Sequence, residues 1–216
     1  VTNSLLLKGF HPTRKNWLSD FAPVFMAIGF TALFIGFAKI SSAGMTAINP
    51  DPNHTHADVA VFIDGEQLDL SEQKYMSNEQ NTLHPFFHLH DGNGSVIHRH
   101  KPGIAIGELL SSLGITMTEE CVTFDDGREI CVDGKRSWKM IVNGEMRFLD
   151  PLYDFKDIDK ILFSYGASDT GWEAEWQQIT DDACLYSKTC PGRGEPPTEN
   201  CIADPTVPCM APLGSL

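Results

Sequence analysis

Two Xaa-Gly dipeptides constrain the fold of this chain most strongly, because each adjoins runs of residues that are typical of β-strands. Asp-Gly at 64–65 follows the alternating run 58–64, and Asn-Gly at 143–144 divides the run 138–149. Two-residue loops of this composition adopt the left-handed backbone conformations that a tight antiparallel hairpin needs. The sequence therefore predicts a hairpin at both positions.

One short helix accompanies the predicted strands. Leucine and isoleucine recur over 106–113 at the spacing of one helical face, and Gly114 suits the end of that helix. Strands are predicted over 58–64, 66–70, 95–100, 121–124, 129–132, 138–142, 145–149 and 158–165, with 71–95 as an irregular excursion. Two early strands, a helix and then several strands form an α+β order that resembles a β-grasp (ubiquitin-like) domain over 57–166.

An uncharged stretch, 21–38, lies between Asp20 and Lys39 and has the length of a membrane-spanning helix. A helix rises about 1.5 Å per residue, so this stretch covers most of a hydrocarbon core of ~30 Å. The residues before it are basic, which places the N-terminus in the cytoplasm. A cleaved signal peptide is the alternative, but its apolar region is usually shorter. We expect a cytoplasmic N-terminus over 1–20, a single-pass transmembrane helix over 21–40 in the cell membrane, a linker over 41–56 and a periplasmic or extracellular domain over 57–166.

The charge is divided unevenly along the chain. The formal net charge is −13 and residues 1–40 contribute +3, so residues 41–216 carry −16, the difference between these values. An acidic body lacks the basic surface that phosphate binding requires, so nucleic acid is not an expected partner. The same acidity favours the capture of cations.

The cysteines predict disulfide bonds in an oxidising compartment, because their number is even and all six lie after residue 120. Cys121 and Cys131 flank the hairpin signal 125–127 symmetrically, so we expect them to pair across it. No Cys-x-x-Cys motif occurs, which argues against a thioredoxin-like centre and a ribbon-type zinc site.

The other four cysteines lie in a proline-rich segment, 167–216, which predicts an extended tail rather than a second domain. The simplest local pairing joins Cys184 to Cys190 and Cys201 to Cys209, although four cysteines allow three connectivities. Such bridges would staple a tail that has no core of its own.

Histidine placement is the most unusual feature of the chain. Seven of the eight histidines fall within 47 residues, namely His54, His56, His84, His88, His90, His98 and His100. All but His84 form three His-x-His pairs, and residues two apart on a strand point to the same face. If 54–64 and 95–100 lie in one sheet, two pairs converge and the loop 84–91 closes over them.

The histidine pairs predict a metal site. Imidazole clusters bind Zn(II), Cu(II), nickel or iron, and we predict zinc or copper as the cofactor with all seven histidines as candidate ligands. Asp58, Asp91 and Glu108 are candidate carboxylates around the ion. A His-rich surface linker without metal is the alternative. Because the sequence contains no His-Glu-x-x-His motif and no nucleophile signature, it does not predict an enzyme.

Three stretches, HADVAVFIDG (56–65), HLHDGNGSVIHRH (88–100) and DACLYSKTCP (182–191), resemble a poorly characterised family of single-span, extracytoplasmic prokaryotic proteins. The resemblance covers most of residues 54–201. It implies a His-rich, β-grasp-like globular part and a Cys/Pro-rich tail, and it implies no activity and no catalytic residues.

Two compatible functions are predicted. A lone membrane helix and a Pro-rich tail usually need neighbours to become ordered. This favours a non-catalytic, scaffolding accessory subunit of a larger membrane complex, such as a photosynthetic, respiratory or oxygenase assembly. Its partners would be the other subunits, contacted through the helix and the tail, and the lipid bilayer. The alternative is a stand-alone periplasmic copper or zinc chaperone or sensor, and a metal-dependent enzyme is a third hypothesis.

Overall fold

The computed structural model describes residues 47–78, 81 and 83–195. Within these residues the strands are β1 (Thr55–Ile63), β2 (Glu66–Gln67), β3 (Phe87–His90), β4 (Asn93–Arg99), β5 (Thr116–Met117), β6 (Cys121–Thr123), β7 (Glu129–Cys131), β8 (Arg136–Val142), β9 (Glu145–Arg147) and β10 (Asp159–Ala167). The helices are α1 (Ile106–Ser112), α2 (Glu173–Trp176) and α3 (Ala183–Tyr186), with 3-10 turns at Gln73–Tyr75 and Pro191–Arg193.

The main sheet has the strand order β3-β4-β1-β10-β8-β9, and β2 pairs with the end of β1. The central strands β1 and β10 are parallel, whereas their neighbours pair in the antiparallel sense. Positive φ at both residues of 64–65, 91–92 and 143–144 closes three two-residue hairpins. The hairpins predicted at 64–65 and 143–144 are therefore confirmed. A smaller sheet has the order β5-β6-β7.

The two faces of the main sheet are buried against different parts of the chain. The odd-numbered residues 57–61 of β1 pack with α1 in the larger hydrophobic core. Ala60 and Phe62 point to the other face and pack with Ile179 in a second cluster. Because side chains alternate along a strand, His56 lies on this second face.

The predicted α+β class with a β-grasp-like domain is wrong, because the fold is mostly β with few helices. In the part of the chain that the structure describes, α1 has seven residues and the two other helices have four each. Strands β3 and β5 have four and two residues. Segments this short carry too few residues for alternation to be recognised, so the sequence understates the strand content.

The prediction of an extended tail is wrong over residues 167–195, which fold back onto the second face of the sheet. The carboxylate of buried Asp58 accepts hydrogen bonds from the hydroxyl of Thr180 and from the backbone N–H groups of Asp182 and Ala183. A β1 side chain thus satisfies the first N–H groups of α3. Residues 196–216, with Cys201 and Cys209, lie outside the described residues.

The predicted cytoplasmic N-terminus over 1–20 and transmembrane helix over 21–40 also lie outside the described residues. None of the helices in the described ranges is long and apolar enough to span a membrane. This finding contradicts the predicted localisation as a single-pass protein of the cell membrane.

Candidate metal centre

Three neighbouring strands bring the His-x-His pairs onto one face of the main sheet. In the register of β3, β4 and β1, His88 pairs with His98, and His98 pairs with His56. The three side chains form a row across the strands. His54 and His100 follow on the same face, because they are two residues from His56 and His98.

Six imidazole rings form a closed circuit in which the centroids of consecutive rings lie 4.0–5.5 Å apart. The order round this imidazole circuit is His54, His56, His98, His90, His88 and His100. Four of the rings belong to residues that are at most 3% exposed. The ring of Tyr186 in α3 packs edge-on against His98 and at 5.5 Å from His56. The donors therefore share a small volume that is largely shielded from water.

One compact set of ligand atoms belongs to His54, His56 and His98. One ring nitrogen from each lies within 4.8 Å of the other two. The Nε2 atoms of His54 and His56 are 3.1 Å apart. Two nitrogens bound to one tetrahedral zinc ion at about 2.0 Å are about 3.3 Å from each other. These three histidines therefore fit the ligand set of a single metal ion.

A hydroxyl and a carboxylate hold the ring of His56. Ser187 Oγ lies 2.8 Å from His56 Nδ1 and donates its proton to Asp157 Oδ1 at 2.6 Å. Because the single hydroxyl proton is directed to the carboxylate, His56 Nδ1 must carry a hydrogen and donate it to Oγ. The Nε2 atom of His56 then keeps its lone pair, and this is the tautomer that binds a metal through Nε2.

His88 and His90 have the same arrangement with different acceptors. Nδ1 of His88 donates to the carbonyl oxygen of His84 at 3.3 Å, and Nδ1 of His90 donates to the Asp91 carboxylate at 2.8 Å. Both Nε2 atoms are buried and have no hydrogen-bond partner among the described residues. An unsatisfied buried polar atom costs about 1–3 kcal/mol, and a bound ion would remove that cost.

Burial keeps part of the circuit neutral. It lowers the pKa of His88 to about 4, and the neighbouring His90 acts in the same direction. Burial also lowers the pKa of His84, whose ring lies outside the circuit. A histidine with so low a pKa is uncharged near pH 7, so it offers a lone pair to a cation without first losing a proton.

The remaining predicted site residues have other contacts. His84 lies outside the imidazole circuit, and its Nδ1 accepts a hydrogen bond from the backbone N–H of Phe86. Glu108 accepts from the backbone N–H of Ala105 at the start of α1. Among the predicted carboxylates, that of Asp91 accepts a hydrogen bond from His90. That of Asp58 instead accepts hydrogen bonds from the segment that leads into α3.

Asp157, Ser187 and Tyr186 were not predicted as site residues. Asp157 and Ser187 lie 101 and 131 residues from His56 in the chain. No local pattern indicates contacts at such separations. Strand β3 and its hairpin, in contrast, were predictable, because Asp-Gly at 91–92 is the same turn dipeptide as at 64–65.

The predicted pairing of Cys121 with Cys131 is confirmed, and the two residues lie directly opposite each other in the β6–β7 hairpin. Together with Glu129 they are close enough to surround one ion. A disulfide has no thiolate to donate, so the oxidised pair is not a metal site.

The predicted Cys184–Cys190 bridge is also confirmed. It closes the loop that contains Tyr186 and Ser187. The bridge therefore restrains these two residues, which both contact His56.

Replacing Ser187 by alanine is expected to weaken metal binding about 10–100-fold, because His56 would lose the acceptor that orients its ring. Competition with a chromophoric chelator would measure the affinity. Ser112→Ala is the matched control, since Ser112 on α1 donates to the Leu109 carbonyl away from the circuit. An affinity unchanged by Ser187→Ala would contradict the role of this hydroxyl.

Comparisons with protein-family models, curated proteins and solved structures found no match. The resemblance to single-span, His-rich prokaryotic proteins therefore stays a prediction, and the function has to be inferred from the site.

Proposed function

We propose that this protein binds a transition-metal ion, zinc or copper, at the imidazole circuit and is a metal-binding protein rather than an enzyme. One observation carries the proposal. The buried rings of His56, His88 and His90 each use Nδ1 to donate to a hydroxyl, a carbonyl or a carboxylate. Histidines that bind metal through Nε2 are usually oriented in this way.

The donor set supports the choice of metal. The circuit offers imidazole nitrogens rather than thiolate or thioether sulfur, and such a donor set suits Zn(II) and Cu(II) better than Cu(I). The Asp91 carboxylate accepts directly from the ring of His90, and the Asp157 carboxylate is linked to the ring of His56 through Ser187, so both would offset the charge of the ion. The roles of accessory subunit of a complex and of stand-alone chaperone or sensor both stay predictions, and each includes this metal site.

The test removes the central row of the circuit. In the full chain, the triple variant His56→Ala, His88→Ala, His98→Ala is expected to bind zinc at least 100-fold more weakly, because the variant lacks half of the six rings. Elemental analysis after loading and dialysis would give the zinc content, and chelator competition would give the affinity. His84→Asn is the matched control, because His84 lies outside the circuit and asparagine keeps an acceptor for the Phe86 N–H.

A measurement on the unaltered chain guards against misfolding of the triple variant. Zinc at about 100 times its Kd is expected to stabilise the folded protein by about 2.7 kcal/mol, which raises the melting temperature. A wild-type chain that retains neither zinc nor copper would refute the proposed function, as would equal affinities of wild type and triple variant.

A further inference from the structure

The imidazole circuit contains more donors than one tetrahedral ion can use. Zinc in a protein site is almost always bound by four ligands. His54, His56 and His98 already bring three nitrogens together, and the geometry leaves at most one further position on that ion. The circuit contains three more rings, those of His88, His90 and His100.

The rings of His88, His90 and His100 form the second half of the circuit. Two of them have lone pairs that an ion at His54, His56 and His98 does not use. His88 and His90 are 1% and 3% exposed, and the Nε2 atom of each lacks a hydrogen-bond partner in the part of the chain that is described. Their Nδ1 atoms already donate to other groups, so rotating the rings would break those bonds. Two buried acceptors without a donor therefore remain on consecutive rings of the circuit.

Adjacent rings in this half are spaced like imidazoles on a shared ion, although their nitrogens, unlike those of His54, His56 and His98, have to move closer together to bind it. The centroid of His88 lies 5.5 Å from that of His90 and 5.0 Å from that of His100. Two imidazoles bound to one tetrahedral ion have centroids about 5 Å apart, given a metal–nitrogen bond of about 2.0 Å. The corresponding distances around His56, 4.4 Å and 4.7 Å, are slightly shorter than 5 Å.

Each half of the circuit also has its own carboxylate. Asp157 acts on His56 through Ser187, and Asp91 accepts directly from His90. Two separate negative charges suit two separate cations, because each would be compensated locally.

We propose that the circuit binds two divalent transition-metal ions, one at His54, His56 and His98 and the other at His88, His90 and His100. This inference rests on the proposed function and adds a second site to it. The half that contains His88 and His90 lies on the β3–β4 hairpin, whereas the other half joins β1 to β4.

Stoichiometry tests this proposal on the metal-free full chain. Calorimetric titration with Zn²⁺ is expected to give two ions per chain, and elemental analysis after dialysis would check the count. The variant His88→Gln, His90→Gln is expected to bind one ion with an affinity within about threefold of one wild-type site. The variant His54→Gln, His56→Gln is expected to keep the other ion. His84→Asn is expected to keep both.

The outcomes separate the two proposals. One ion per wild-type chain, lost equally in both paired variants, would overturn the second site and leave the proposed function intact. No bound ion would overturn both. Glutamine fills most of the volume of histidine, and a circular dichroism spectrum identical to that of wild type would show that each variant is folded. Co²⁺ offers an independent readout, because two sites that fill in sequence change its visible absorption in two steps.

Discussion

Replacing Arg99 by methionine is expected to lower the free energy of unfolding by about 3–5 kcal/mol, because several buried acceptors would lose their donor. Arg99 lies in β4 between two histidines of the circuit, points to the opposite face and is 5% exposed. Its guanidinium stacks on Phe155, pairs with Asp154, and donates to the hydroxyl of Thr55 and to the carbonyls of Ile104 and Phe155. Methionine would replace the apolar stem and none of these hydrogen bonds.

Arg128→Met is a closely matched control. Arg128 also pairs with an aspartate, Asp126, and also lies over a phenylalanine ring, that of Phe124. Its side chain is 53% exposed, so water can replace the lost contacts and the change should be far smaller. Urea denaturation would measure both variants. Similar decreases in the free energy of unfolding of the two variants would mean that the buried contacts of Arg99 contribute no more to stability than the exposed contacts of Arg128.

Replacing Asp58 by alanine is expected to lower the free energy of unfolding by about 3 kcal/mol and to weaken metal binding. Burial raises the pKa of Asp58, while three hydrogen bonds act in the opposite direction. The desolvation cost therefore offsets part of what these bonds contribute. Alanine would leave the three donors around Thr180 and Ala183 unsatisfied and would loosen α3, which carries Tyr186 and leads into Ser187.

The control for this change is Asp69→Ala. Asp69 also accepts two hydrogen bonds, but both donors belong to Ser71 and the contacts are exposed. Hydrogen exchange is expected to accelerate at amides 182–189 in the Asp58 variant and to stay unchanged there in the Asp69 variant. If both variants unfold at the same urea concentration, Asp58 does not hold α3 on the sheet.

Local signals in the sequence located several elements of both sheets. Turn dipeptides at 64–65 and 143–144 predicted two hairpins because the backbone conformation they favour is a property of the two residues themselves. Symmetry about Asp126 predicted the Cys121–Cys131 bridge for the same reason, since the register of a short hairpin depends on its loop. The fold class was wrong because very short strands carry no recognisable period.

The candidate site was predictable only in part. His-x-His spacing predicted that each pair shares a face, and the sheet places all three pairs side by side. The predicted loop over 84–91 is instead partly strand β3, so His88 and His90 lie in the sheet rather than above it. His84 was grouped with them by proximity in sequence, and its ring lies outside the circuit.

By itself, the sequence determined which imidazoles occur in pairs, where the tight turns lie and which cysteines bridge locally, because these properties depend on residues close together in the chain. Only the tertiary structure decided that the pairs close into a circuit and that Asp157 and Ser187 orient His56. The parallel pairing of β1 with β10 places Ala57 opposite Asp159 and thereby brings Asp157 next to His56. Such a contact, between residues about a hundred positions apart, depends on how the strands assemble and leaves no mark on local sequence.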